Sequence, residues 1–117
     1  MKKRYLCPAE LTVGLIGSKW RIIVLWNLRK KTRNFNELRR LTPGISATNL
    51  SLALKHLQGL GLVEREETGA ARGEVNYSMT SRGQSLDAVL KALVRWGIDN
   101  RPHYASGPFG MEALSRR

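Results

Sequence analysis

The spacing of apolar residues predicts two helices in the first third of the chain. A short amphipathic stretch begins at Pro8, which suits the first position of a helix because no hydrogen bond there needs an N–H. This helix is expected to end near Gly17. The segment from Trp20 to Leu28 is apolar nearly all round, which is typical of a helix buried by its neighbours. A polar, basic turn is predicted at residues 30–33.

Two further helices, separated by a tight turn, are predicted in the middle of the chain. The first covers residues 35–41, and Pro43 and Gly44 then break it because both are turn residues. Ser46 is a suitable cap for a longer helix, which Gly59 and Gly61 end. The apolar stripe of this longer helix is formed by Leu50, Leu54 and Leu57.

The remaining pattern predicts a hairpin and one more helix. Residues 62–67 and 74–79 have the composition of strands, the second with clear alternation, and residues 68–73 join them as a flexible loop. Thr80 caps a final helix from Ser81 to about Asn100, which Pro102 ends. The tail, residues 103–117, is expected to be partly mobile.

This order of elements is that of a winged helix-turn-helix, a mainly α fold with a small β-hairpin wing. We predict a single domain over residues 1–117. Its DNA-binding core covers about 18–80, and its dimerisation elements cover about 5–17 and 81–100. The apolar stripe of the final helix is too wide for one small core, which predicts an interface between two copies of the chain. The residues of this stripe are Leu86, Val89, Leu90, Leu93, Val94 and Trp96.

The charge of the chain narrows the choice of partner. Its 20 Lys and Arg against nine Asp and Glu give a net charge of +11, which attracts polyanions, and nucleic acid first among them. The sequence shows neither an apolar run long enough to span a membrane nor a secretory segment, so a soluble cytoplasmic protein without a membrane partner is expected. One cysteine, no CxxC pair and two histidines predict no metal site and no cofactor.

The longer helix of the pair carries the side chains expected to contact duplex DNA. Opposite its apolar stripe lie small or flexible residues, as a helix entering a major groove requires. A solvated surface would give the same polar pattern, but the element order, the hairpin and the charge together favour DNA. The candidate contacts are Ser46, Thr48, Asn49, Ser51, Leu52, Lys55 and His56, with Arg39 and Arg40 on the preceding helix and Arg72 near the tip of the wing.

Three of these predictions have open alternatives. Leu52 contacts a thymine methyl or a sugar, or the helical phase is slightly wrong. His56 contacts phosphate or is a plain surface histidine. Arg39 and Arg40 contact the DNA backbone or simply hold Glu37 on the surface.

Seven short segments stand out in order over roughly residues 5 to 97: Cys7-Pro8, Gly17-Ser18-Lys19-Trp20, Leu25-Trp26-Asn27-Leu28, Phe35-Asn36-Glu37-Leu38-Arg39-Arg40, Pro43-Gly44-Ile45-Ser46, Gly61-Leu62-Val63-Glu64-Arg65 and Tyr77-Ser78-Met79-Thr80. Together they resemble the HxlR-type family of winged-helix regulators. The resemblance implies a homodimeric transcriptional regulator held together largely by its terminal helices. The sequence departs from the family in its recognition helix, with Ala47, Thr48 and Leu52 where more polar residues are common.

Cys7 stands where some members of that family carry a cysteine that senses oxidants or electrophiles. A position before a helix start, with three basic residues preceding it, favours the thiolate. The alternative is a buried, inert small residue. Trp20, Trp26 and Trp96 are expected to be core or dimer aromatics.

The expected function is therefore a sequence-specific, homodimeric regulator that binds an inverted repeat in double-stranded DNA, with a small oxidant or electrophile acting through Cys7. The alternative is a non-specific architectural protein that uses the same basic surface. An enzyme is not expected, since the sequence offers no phosphate loop, carboxylate pair or metal motif.

Overall fold

The computed structural model describes residues 2–67 and 74–111. Its elements, in chain order, are α1 (Pro8–Ile16), α2 (Lys19–Leu28), β1 (Arg33–Asn34), α3 (Phe35–Leu41), α4 (Ala47–Gly59), β2 (Val63–Glu67), β3 (Val75–Met79), α5 (Ser81–Gln84) and α6 (Asp87–Tyr104). The fold is mostly helical with a small antiparallel sheet, as the sequence predicts. No helix within the described residues is both long enough and apolar enough to cross a membrane.

The first four helices confirm the sequence-based boundaries closely. Helix α1 starts at Pro8 and is capped by Gly17, as expected. The hydroxyl of Ser18 accepts a hydrogen bond from the backbone N–H of Arg21 and so caps α2. Ser46 caps α4 by accepting from the N–H of Asn49 at 3.0 Å. Each of the two serine caps satisfies an N–H that would otherwise lack a partner in the first turn of its helix.

The sheet has three strands rather than the two predicted, in the order β1-β3-β2. The added strand, β1, pairs antiparallel with β3, with Arg33 opposite Tyr77. The expectation of a simple turn at residues 30–33 was therefore wrong at Arg33. Two residues are too few to show an alternating pattern, and this strand exists only because β3 offers a free edge. The predicted hairpin loop at residues 68–73 lies outside the described residues.

The final helix is divided, which corrects the prediction of one helix from Ser81. Thr80 caps the short α5, and a turn at residues 85–86 then separates it from α6. Pro102 was expected to end the helix, but it lies inside α6. Near a C-terminus the missing N–H costs a single backbone bond, and the N–H of Ala105 still donates to the carbonyl of Arg101 at 2.9 Å.

One hydrophobic core joins α2, α4, the sheet and α6. The predicted stripe of α4 is fully buried, and Tyr77 and Met79 of β3 close the core from the sheet side. The predicted faces of α4 and β3 are thus confirmed. Beyond α6, the guanidinium of Arg101 donates to the carbonyl of Gly107 at 2.7 Å, and Met111 packs against the core.

Candidate nucleic-acid interface

Helix α3 begins with a reciprocal capping box. The side chain of Asn34 accepts from the N–H of Glu37 at 2.8 Å, and the carboxylate of Glu37 accepts from the N–H of Asn34 at 2.9 Å. This backbone hydrogen bond is the main cause that lowers the pKa of the Glu37 carboxyl. Desolvation acts in the opposite direction, and the nearby cations, Lys31 first, add smaller lowering effects. The Glu37 carboxylate is therefore ionised at neutral pH, and it is the hydrogen-bond acceptor for the Asn34 N–H in the capping box.

The turn between α3 and α4 is held by side-chain hydrogen bonds from α2. The side-chain amide of Asn27 on α2 donates to the carbonyl of Leu41 and to the hydroxyl of Thr42, both at 3.1 Å. Thr42 is buried, and its carbonyl accepts from the N–H of Ile45, which anchors the turn in the core. Gly44 has φ of +88°, a conformation that favours glycine. The angle between the two helices is thereby tied to α2.

The outward face of α4 has the composition predicted for it. Thr48, Asn49, Lys55 and His56 are exposed, Ser51 is half-buried, and Leu52 retains 60% of its surface. The helical phase assumed from the sequence is therefore correct. Ser46 lies at the start of this face, where its hydroxyl is already engaged as the cap.

Two shallow depressions lie on α3 and α4, and the second includes part of this face. One, of about 420 Å³, is lined by Asn36, Arg39 and Arg40 of α3. The other, of about 390 Å³, is lined by Phe35 of α3 and by Ala47, Thr48, Ser51 and Leu52 of α4. The sequence predicted no contact role for Phe35 and Asn36. Two signals were available for them: both lie in a segment that carries the family resemblance, and both stand in the first turn of the helix that precedes the recognition helix.

The charge of this region is strongly positive. From residue 29 to residue 59 the sequence contains a single carboxylate, Glu37, among the basic residues Arg29, Lys30, Lys31, Arg33, Arg39, Arg40 and Lys55. Strand β2 differs, since its Glu64, Glu66 and Glu67 are exposed. Arg72, the predicted wing contact, lies outside the described residues. Within the described part of the chain, the α3–α4 pair rather than the wing strand presents positive charge to a polyanion.

The model of the HxlR-like helix-turn-helix family matches residues 15–105. The chain belongs to this family.

Relatives of this HxlR-like protein are themselves HTH-type transcriptional regulators. YdzF of Bacillus subtilis is 39% identical over 98 residues, covering 82% of this chain and 90% of YdzF. YybR of the same organism is 36% identical over 95 residues, covering 81% of this chain and 76% of YybR. The protein is thus a helix-turn-helix transcriptional regulator rather than an enzyme, as the sequence predicts.

Among solved structures, the redox regulator HypR is similar in both of its forms. The reduced form has a TM-score of 0.77 and 35% identity, covering 81% of this chain and 94% of the HypR chain. The oxidized form has the same TM-score and 36% identity, covering 81% and 98%. These similarities confirm the winged-helix fold of the HxlR-like protein.

Helix α6 of the HxlR-like protein has an inward and an outward apolar side. Leu90 is fully buried in the core of the protomer, so its prediction as a subunit contact was wrong, because one side of the stripe is needed to close this core. Leu86 and Val94 are half-buried beside it. The outward side forms a depression of about 590 Å³ lined by Ala88, Val89, Ala92, Leu93 and Trp96.

The three tryptophans occupy different environments. Trp26 is buried in the core and Trp20 packs at its edge, while Trp96 is 60% exposed. The ring of Trp96 stacks on Tyr104 with 5.9 Å between centroids. Trp96 is therefore an exposed aromatic of α6 rather than part of the core.

The thiol of Cys7 is exposed, so its interpretation as a buried residue was wrong. Cys7 is the N-cap of α1, and its carbonyl accepts from the N–H of Glu10 and of Leu11. Its side chain makes no capping hydrogen bond. Among the described residues no group of three His, Cys, Asp or Glu is arranged to hold a metal ion.

Proposed function

We propose that the protein is a homodimer that binds an inverted repeat in duplex DNA, with α4 of each subunit in a major groove. The outward face of α4 carries the proposal. It presents small and polar side chains and the exposed Lys55, and the preceding helix α3 adds the exposed Arg39 and Arg40. No carboxylate occurs on α4, so none opposes the approach of phosphates.

The proposed subunit interface uses the outward side of α6. Leu93 and Trp96 are 48% and 60% exposed, and Val89 adjoins them. A contiguous apolar patch of this kind is typical of a surface that another protein covers. A two-fold axis there would present two α4 helices to successive major grooves, about 34 Å apart.

The other proposed contacts follow from this placement. Thr48, Asn49 and Ser51 lie on the groove side of α4 as base contacts, and His56 lies further along as a phosphate contact. Arg72 is retained as the wing contact to phosphates or to the minor groove. Specific binding would be distinguished from architectural binding by the ratio of operator affinity to random-duplex affinity.

Replacing Lys55 with alanine is expected to weaken operator binding about tenfold and to lower the slope of log affinity against log salt by about one, because one phosphate contact is lost. Lys91→Ala is the matched control. Lys91 is an exposed lysine of α6 that pairs with Asp87 at 3.0 Å. Each variant loses one positive charge, so the change in net charge is the same in both. Gel-shift titrations at several salt concentrations measure both. An equal loss in the two variants would show that only net charge matters and would remove α4 from the interface.

We also propose that oxidants or electrophiles act on the regulator through Cys7. Two observations support this: the thiol is exposed at the start of α1, and HypR, a redox regulator, has a similar fold and sequence. Since the sequence has one cysteine, the products are a disulfide between two subunits, a mixed disulfide with a small thiol, or a covalent adduct. Each adds bulk or a tether next to α1 and can shift the spacing of the two α4 helices.

Diamide tests this role of Cys7. It accepts two electrons and two protons from two thiols, which form one disulfide. Wild-type protein is expected to change its operator affinity severalfold on titration with diamide and to recover when a dithiol reduces the product. Cys7→Ser should bind the operator like the reduced wild type and show no response. Equal responses of the two proteins, or none in either, would rule out sensing through Cys7.

A further inference from the structure

Leu52 is an anomaly on the recognition helix. It is 60% exposed, and of the large exposed apolar residues in the described chain it is the one on the outward face of α4. An exposed leucine contributes little to folding, because most of its surface remains in water. Leu52 is therefore available for a contact outside the protomer.

The surroundings of Leu52 form a shallow, open recess whose lining is more apolar than polar. Phe35, which packs against the core, forms one side, and Ala47 and Ser51 leave space because their side chains are short. Thr48 also lines the recess. Because hydrogen bonds from Asn27 of α2 hold the turn between α3 and α4, the recess is preformed rather than made on binding.

Both helices that line the recess carry exposed basic residues. These are Arg39 and Arg40 on α3, and Lys55 on α4, which follows Leu52 by three residues and so lies on the same side of that helix. A largely apolar recess on two positively charged helices fits the edge of a base flanked by phosphates. In the major groove the apolar group that a base presents is the 5-methyl of thymine.

We propose that this recess binds the 5-methyl group of one thymine in each operator half-site, and that Leu52 determines the preference for it. The inference rests on the proposed function and names the base that α4 reads. Ala47 and Phe35 shape the recess, while Lys55 and the arginines of α3 hold the backbone and contribute no preference for a methyl group.

Single replacements of thymine by deoxyuridine test the proposal directly. The change removes only the methyl group and leaves the base pair and its other hydrogen-bonding groups intact. The operator is first isolated from a random duplex library. At one thymine in each half-site, replacement by deoxyuridine is expected to lower the affinity of the protein for the duplex about fourfold, the effect of one buried carbon. The other thymines should lose little.

Leu52→Ala is expected to remove this discrimination, so that the thymine and deoxyuridine duplexes bind equally at that position. Lys55→Ala is the matched control: it should weaken both duplexes and keep their fourfold ratio. A further arm replaces the thymine pair by a cytosine pair, with or without a 5-methyl group on the cytosine. The methylated duplex should bind more tightly than the unmethylated one in wild type and not in Leu52→Ala.

The outcomes separate this inference from the function on which it rests. Sequence-specific binding without a sensitive thymine would overturn the methyl recess and leave the proposed function intact. If one thymine is sensitive to replacement but the ratio of thymine-duplex to deoxyuridine-duplex affinity is the same in Leu52→Ala as in wild type, then Leu52 does not determine the preference. Equal affinity for selected and random duplexes would overturn the proposed function itself.

Discussion

Replacing Gly83 with alanine is expected to lower the free energy of unfolding by about 3 kcal/mol, the upper end of the usual cost of overpacking. A Cβ at Gly83 would lie 2.2 Å from the carbonyl oxygen of Leu62 and 3.2 Å from the sulfur of Met79. That carbonyl accepts from the N–H of Thr80 at 3.0 Å, so it cannot withdraw without loss of this bond. Thr80 also bonds the carbonyl of Gly61 and caps α5, and the strain would therefore reach the base of the wing.

Gly59→Ala is the control for this prediction. Gly59 is the last residue of α4, and a Cβ there would meet nothing within 4 Å, so the substitution should be neutral or slightly stabilising. Thermal unfolding followed by circular dichroism compares the two variants, and a decrease on the order of 10 °C is expected for Gly83→Ala. Equal midpoints for the two variants would contradict the close contact between α5 and Leu62.

Leu93→Asp is expected to give a folded monomer whose operator affinity is lower by about a hundredfold or more. Leu93 is 48% exposed on α6, so a charge there remains hydrated in the protomer but would be buried without a partner in the proposed dimer. Loss of the second subunit removes the advantage of binding two half-sites at once, which is worth a factor of about 10² to 10⁴. Light scattering gives the mass, circular dichroism the fold, and gel shifts the affinity.

Leu52→Asp is the reciprocal control. It places the same new charge at another exposed leucine, on α4, and should leave the dimer intact while it abolishes operator binding through repulsion of phosphates. If the Leu93→Asp protein remained a dimer, the outward side of α6 would not be the subunit interface. A monomeric Leu52→Asp protein would show that subunit contacts extend to α4.

The first four helices of this fold could be predicted from the sequence because they carry their own local signals. Pro8 starts α1, Ser18 and Ser46 cap α2 and α4, and the leucine stripe of α4 sets its inward side. These signals are local and act within a single turn.

The missed features depend on tertiary contacts. Strand β1 is two residues long and exists through pairing with β3. The division between α5 and α6 accompanies the close approach of Gly83 to Leu62, and no pattern along residues 81–100 reports that distance. Pro102 continues α6 because it lies in the last turns, where a missing N–H removes a single bond.

The candidate site was predicted in its helical phase but not in its shape. The sequence places Leu52 opposite the core, and the structure confirms that it is exposed. The contribution of Phe35 to the recess arises from the angle between α3 and α4, which the hydrogen bond between Asn27 of α2 and the buried Thr42 helps to fix. The division of the α6 stripe, with Leu90 inward and Leu93 outward, likewise depends on which side the core needs.

Selection of binding sites from a random duplex library is the most direct test of the central claim, that a dimer presents two α4 helices to one operator. Wild-type protein is expected to enrich an inverted repeat whose half-site centres lie one helical turn apart, about 10 base pairs. Enrichment of no motif, with equal affinity for selected and random duplexes, would contradict the claim and favour an architectural protein.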